Sequence, residues 1–212
     1  MITKDVELMG GIKRLKKCKT NKTKVFICGG GNSVAKTFCD DAYQVGKLLA
    51  ELDTAYAQGG QTERNTIMGE NYFGYKENGG KSATIFVRDS YKEDLEPEYK
   101  ALDGAYIVDT LSDLIKAQYL WADVVVIMPG GAGTCMEILG YMEHFLDYKE
   151  CPQIILYNKK VGNGYFFDSF KQQIDTMIKH KFIARPVWEF FTEVTTLKQL
   201  KTELTKLVNN VK

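Results

Sequence analysis

The stretch DVVVIMPGGAGTCME, Asp123 to Glu137, decides the fold. Asp123 to Met128 reads as a strand whose β-branched run suits burial on both faces. The run stops at Pro129, three glycines (Gly130, Gly131 and Gly133) follow, and helical spacing resumes from Thr134 to Tyr148. A buried strand that passes through glycines straight into a helix is part of a βα unit, and repeated units of this kind build parallel sheets.

The same alternation continues on either side. Upstream, Lys24 to Cys28 (KVFIC) reads as a buried strand ending in Gly29, Gly30, Gly31, Asn32 and Ser33. From Val34 to Leu52 the apolar Phe38, Ala42, Val45, Leu48 and Leu49 recur at steps of three and four, which predicts a one-sided helix. Thr54 to Ala57 is a second strand, followed by Gly59, Gly60 and Gln61 and a helix around Met68 to Lys76. A third strand spans Ala83 to Val87. The charged segment Arg88 to Gly104, containing Pro97, reads as an irregular surface excursion. Ala105 to Asp109 resumes the sheet and Leu111 to Trp121 is helical. Downstream come a strand at Gln153 to Tyr157, a helix near Phe166 to Lys179, a short strand at Val187 to Phe190 and an amphipathic helix from Thr196. The expected fold is α/β: a Rossmann-like open, mostly parallel sheet with helices on both faces. One nucleotide-binding domain covers residues 24–212, behind a basic N-terminal extension, residues 1–23, read as a solvated tail.

Composition narrows the partners. A 212-residue chain can bury a sizeable core, and its formal charge of +1 lacks the positive field of a dedicated nucleic-acid binder. A small molecule or a second copy of the chain is the expected partner. The five cysteines (Cys18, Cys28, Cys39, Cys135 and Cys151) are odd in number, with no CxxC pair and no histidines at metal-ligand spacing. They read as reduced thiols in the cytoplasm, with no metal site. No apolar run approaches the ~20 residues of a membrane span, and no signal peptide is visible.

Three glycine-rich segments each follow a strand, and ligands of open parallel sheets bind at the carboxyl ends of the strands. Glycine lets backbone N–H groups approach an anion, and a helix starting there adds its positive end. A phosphorylated ligand is the natural occupant. In Pro129-Gly130-Gly131-Ala132-Gly133-Thr134, Thr134 could serve as N-cap with Glu137 as the third helical residue, a plain capping box. Three glycines beside a proline ask for more, and Glu137 would set a carboxylate beside the phosphate cradle. The first turn, GGGNS, lacks the GxGxxG spacing of a nicotinamide or flavin oxidoreductase.

PGGAGTCME closely resembles the PGGxGTxxE signature of the Lonely Guy (LOG) family, phosphoribohydrolases formerly labelled lysine decarboxylases. VFICGGGNS resembles that family's first phosphate turn, and AQGG followed by IMGE resembles its second glycine segment. IVDTLSD, WADVVVIMPGG and GYFFDSFKQQIDTMIKHKFI follow its later landmarks in order. The resemblance implies a homodimer that hydrolyses the N-glycosidic bond of an AMP-like nucleoside 5′-monophosphate to free base and ribose 5-phosphate, without a cofactor. It assigns Glu137 as the catalytic carboxylate. It places the substrate and its phosphate on Gly29, Gly30, Gly31, Asn32, Ser33, Gly59, Gly60, Met68, Gly69, Gly130, Gly131, Gly133 and Thr134.

Three departures stand out. Where the family commonly has an Arg-Lys pair, this chain has Leu114-Ile115, leaving Lys116, Arg64 or Arg88 to supply a cation. Lys116 is the catalytic candidate among them. Met136 replaces a frequent glutamate, and the loop QTERNT (Gln61 to Thr66) replaces a shorter glycine segment. The missing arginine keeps a second expectation open, a module that binds a nucleotide derivative without turnover. Of the remaining residues, Cys135 sits at a helix start without a partner base. His144 and His180 read as surface or packing residues, and Asp113 as an N-terminal capping residue or a ribose ligand. Trp121, Tyr141 and Phe145 read as core or interface aromatics.

Overall fold

The computed structural model describes residues 6–9, 12–15, 20–61, 63–88, 104–147, 152–184 and 187–210. The excursion expected between Arg88 and Gly104 lies mostly outside these residues, as do Cys18, Cys151 and the side chains of Arg88 and Phe145. The first element is an antiparallel hairpin, β1 (Val6–Met9) with β2 (Ile12–Leu15), within the segment read as a tail. Its sequence signal is the Gly10-Gly11 pair between two short runs, which a reading of charge alone overlooks.

β3 (Lys24–Cys28) shows why the sheet needs cover on two sides. Val25 and Ile27 enter one apolar cluster, while Phe26 and Cys28 enter the other. Successive side chains of a strand leave opposite faces, so a strand with no exposed member requires a helical layer above and below. With β4 (Ala55–Gln58), β5 (Ala83–Arg88), β6 (Gly104–Val108), β7 (Val124–Ile127), β8 (Gln153–Tyr157) and β11 (Phe191–Val194) it forms a seven-stranded sheet. The order is β11-β8-β7-β3-β4-β5-β6, and every pairing is parallel. A two-residue hairpin, β9 (Lys160–Val161) with β10 (Gly164–Tyr165), stands apart.

Helices α1 (Lys36–Glu51), α2 (Ile67–Glu77) and α6 (Leu197–Asn210) pack on the face of Val25. The opposite face carries α3 (Leu111–Trp121), α4 (Ala132–Asp147) and α5 (Asp168–Lys179). From β3 the chain winds outward through β4, β5 and β6, then α3 carries it back across to β7 on the other side of β3. The winding reverses between β3 and β7, so their loops diverge and leave a crevice at the carboxyl ends.

The segment Val187–Phe190 is a 3-10 turn, and the strand follows it at Phe191–Val194, which corrects the expected strand. Val187 and Trp188 both join the α3-α4-α5 side, with the Trp188 indole N–H donating to Asp175 on α5 at 2.8 Å. Consecutive residues cannot share a face in a strand, whereas a helical turn allows it.

α1 and α2 cross through glycines. A methyl group on Gly46 would lie 1.9 Å from the Asn71 carbonyl oxygen, and one on Gly74 would lie 2.1 Å from that of Tyr43. Both obstacles are backbone, so neither yields. Gly46→Ala is therefore expected to destabilise the fold by about 3 kcal/mol, at the upper end of ordinary overpacking costs, read as a lower midpoint in urea denaturation.

Candidate functional site

The three glycine segments meet at the β3–β7 reversal. The Gly30 amide donates to the Pro129 carbonyl at 3.1 Å, lacing the turn after β3 to the turn after β7. A Cβ on Gly130 would fall 2.9 Å from the Gly30 nitrogen and 2.1 Å from Thr134 Oγ1, so these two loops touch only because Gly130 lacks a side chain. The Gly30 carbonyl in turn accepts from Ile67 at 3.0 Å and from Met68 at 3.4 Å, which caps the start of α2. A methyl on Gly31 would stand 3.1 Å from Met68 Cε and from Gln61 Cγ. The second segment is held by Gln58, whose amide donates to the Gln61 carbonyl at 2.5 Å and accepts from its N–H at 3.2 Å, around Gly60 at φ +96°.

These contacts sort the expected ligand residues. Gly29 is buried against Ile67, and Gly69 lies against the Glu63 carbonyl. The Gly69 N–H is already bonded to Thr66 Oγ1 at 2.9 Å. With Met68 N–H engaged by Gly30, the start of α2 is closed by its own chain. Asn32 and Ser33 are exposed beside the first turn.

The turn after β7 is open. α4 begins at Ala132, and its first backbone bond runs from Cys135 N–H to the Gly131 carbonyl at 3.1 Å. The amides of Gly131, Ala132, Gly133 and Thr134 therefore precede the intrahelical ladder, and none has an acceptor among the described residues. Cβ positions built on Gly131 and Gly133 meet nothing within 4 Å. Amides at a helix start, under open space, make an anion site. The expected capping box is corrected here: Thr134 lies inside the helix and Glu137 a further turn along it. The capping boxes belong to α3, where Thr110 and Asp113 bond reciprocally, and to α6, where Gln199 Oε1 accepts from Thr196 N–H and Thr196 Oγ1 accepts from Gln199 N–H.

Glu137 is half-buried, one turn below the open amides. Its Oε1 accepts from Gln118 Nε2 on α3 at 2.8 Å, and Gln118 Oε1 accepts from the Tyr141 hydroxyl at 2.8 Å. That hydroxyl also lies 3.4 Å from Cys28 Sγ at the end of β3. Burial lifts the Glu137 carboxyl to about 7, against the opposing hydrogen bonds of Gln118 and Cys28. The Cys28 thiol is pushed up by burial and by Glu137, and the Tyr141 hydroxyl by burial, then by Cys28 and Glu137. Among the described residues, no cation contributes to holding the carboxylate.

The two candidate cations whose side chains are described, Lys116 and Arg64, are elsewhere. Gln118 faces Glu137, and Lys116 lies about 200° around α3 from it, with no ion pair among the described residues. The positions that share the Gln118 side of α3 are Leu114 and Ile115, both buried; Ile115 packs onto Gly140 of α4. Arg64 bonds Glu70 at 2.9 Å and also Glu77, and its guanidinium lies 3.6 Å above the Phe73 ring. Cys135 is no activated thiol, because burial raises it. His144 stacks on Tyr119 at 3.6 Å, Trp121 is core, and Asp113 is a capping residue. Gln118 and Cys28 were not anticipated, and neither was the hydroxyl role of Tyr141. A signal for Gln118 existed, a lone polar side chain on the apolar stripe Leu114, Ile115, Ala117 and Trp121.

A family profile described as "Possible lysine decarboxylase" matches residues 68–204. A search of curated protein sequences gives no significant match. Among solved structures, the chain is similar to the structural-genomics target TM1055, with TM-score 0.63 and 22% identity over 87% of this chain and 99% of that one. It is similar to the molybdenum cofactor carrier protein of Chlamydomonas reinhardtii, with TM-score 0.61 and 14% identity over 89% of this chain and 99% of that one. A third is the single-stranded-DNA-binding DNA processing protein A of Helicobacter pylori, with TM-score 0.55 and 10% identity over 87% and 81%. At these identities the likeness is one of fold.

A carboxyl raised by folding binds its proton more tightly in the native state, so it lowers stability as pH rises from the unfolded value, near 4.5, through about 7. Glu137→Gln is therefore expected to melt higher than the parent at pH 8, with the difference vanishing near pH 4, in paired thermal melts across that range.

Proposed function

Because the chain belongs to the family described as possible lysine decarboxylases, and its site offers amides and a carboxylate, we propose that it hydrolyses the N-glycosidic bond of a nucleoside 5′-monophosphate. The carrying observation is the open turn Gly131–Thr134 with four unengaged amides above Glu137. The 5′-phosphate sits on those amides, with Gly30 and Gly31 forming the facing wall. The ribose then extends toward Glu137, whose ionised carboxylate stabilises the oxocarbenium-like sugar or orients the attacking water. The protonated base leaves, water adds to the anomeric carbon, and ribose 5-phosphate remains. Decarboxylation through a pyridoxal-phosphate lysine lacks support, since Lys116 faces away from the crevice.

Binding without turnover is the second reading, favoured by the apolar pair Leu114-Ile115 on the side of α3 that faces the site. It is in keeping with a fold neighbour that is named as a cofactor carrier. The small formal charge favours a small ligand over a nucleic acid in either case.

A homodimer is part of the same proposal. Met136 and Leu139, three residues apart on α4, are 49% and 42% exposed. Apolar side chains gathered on one surface are suited to a second copy. No described helix is long and apolar enough to cross a membrane, and we place the protein in the cytoplasm.

With a panel of nucleoside 5′-monophosphates, the expected outcome is release of free base and ribose 5-phosphate, reduced at least about a hundredfold by Glu137→Ala. Ligand-induced thermal stabilisation without product would establish binding alone, and neither effect would reject both readings. In light scattering the parent is expected to be a dimer and Leu139→Glu a monomer.

A further inference from the structure

Among the described side chains no cation stands beside the carboxylate at position 137, and its environment shows what holds it there. Leu114 and Ile115 lie four and three residues before Gln118, on the same side of the helix. Gln118 is fully buried and bonds only within the site: Nε2 to Glu137 Oε1 and Oε1 to the Tyr141 hydroxyl, each at 2.8 Å. The bonding has a direction. Tyr141 O–H donates to Gln118 Oε1, so the amide cannot turn that oxygen toward the carboxylate, and its N–H must point at Glu137. The Cys28 Sγ lies 3.4 Å from the Tyr141 oxygen, and its thiol is also a hydrogen-bond partner of Glu137. The ordered sequence is Tyr141 O–H, Gln118 amide, Glu137 carboxylate.

We propose that Gln118 is a positioning residue, locked by Tyr141, which fixes the orientation of Glu137 and favours its ionised form in place of a cation. The proposal rests on Glu137 being the working carboxylate. Among the described residues, the titratable groups facing Glu137 are the Cys28 thiol from β3 and the Tyr141 phenol from its own helix. α3 presents Gln118 and apolar side chains. Both titratable neighbours are neutral at pH 7, and the Cys28 thiol aids ionisation only as the lesser hydrogen bond. The donor N–H of Gln118 is then the main group that favours ionisation against desolvation, which dominates at this position.

The test is a carbon-13 titration of the full-length protein labelled on its glutamate carboxyls, with the Glu137 signal assigned by its loss in Glu137→Gln. The parent should titrate near 7. Gln118→Met keeps the volume but removes the donor, and should move the midpoint up by about one pH unit, as expected for losing one hydrogen bond to a charged group. Tyr141→Phe, which keeps the ring, should move it in the same direction by less and carries the test if Gln118→Met does not fold. In turnover, the acid limb of kcat/KM should shift equally, costing about fivefold at pH 7 and recovering by pH 9. A change in melting temperature with a stationary midpoint in both variants overturns the proposal while leaving hydrolysis standing. A shifted midpoint in a protein that releases no base upholds the proposal and overturns hydrolysis.

Discussion

The backbone of one residue joins the working parts of this molecule. Gly30 donates its N–H to the loop after β7 and offers its carbonyl to the first amides of α2. That double engagement requires three chain segments to approach to backbone distance, and the absence of a side chain at Gly130 permits it. The rest follows from this closeness. The winding of the sheet reverses there, the α2 terminus is closed, and α4 is left as the helix whose first amides face open space. Two glycine-led helix starts that look equivalent in sequence thus acquire opposite fates, one engaged by the fold and one available to a ligand.

The chemistry below those amides is governed by desolvation. A carboxyl lifted to about 7 sits near the midpoint of its titration at neutral pH, where an acid–base group is most responsive. A cation would have pulled it down, and α3 supplies leucine and isoleucine where one would stand. Hydrogen bonding through a neutral amide is a weaker hold than an ion pair, and it leaves the carboxyl able to take up or release a proton. The same wiring puts Cys28 and Tyr141 out of reach as independent nucleophiles, because burial keeps both protonated.

Most elements were legible in the sequence because both periodicities are strong. KVFIC and DVVVIM have no polar interruption, and the helical stripes on α1 and α3 repeat at steps of three and four. The misreadings have local causes. VWEFF is β-prone in composition, yet two adjacent aromatic and aliphatic anchors had to reach one layer, which imposed a turn. Thr134 followed by Glu137 spells a capping box, but glycines adopt helical angles too, and α4 starts earlier. The engagement of Met68 could not be read from local spacing. The partner of Met68, Gly30, depends on how distant loops are brought together, whereas Gly69 meets its own N-cap, Thr66, three residues earlier. Gln118 was detectable in principle as a polar residue on an apolar stripe, though its partner 19 residues away was not.

The pairing of Arg64 bears on how an anion reaches the crevice. Its guanidinium is balanced by Glu70 and Glu77, and Lys159 is likewise held by Asp41. Neither projects an uncompensated field toward solvent, and amide dipoles fade within a few ångströms. Capture of a phosphate would then depend on contact rather than on long-range attraction, and its rate should change little between dilute buffer and physiological salt.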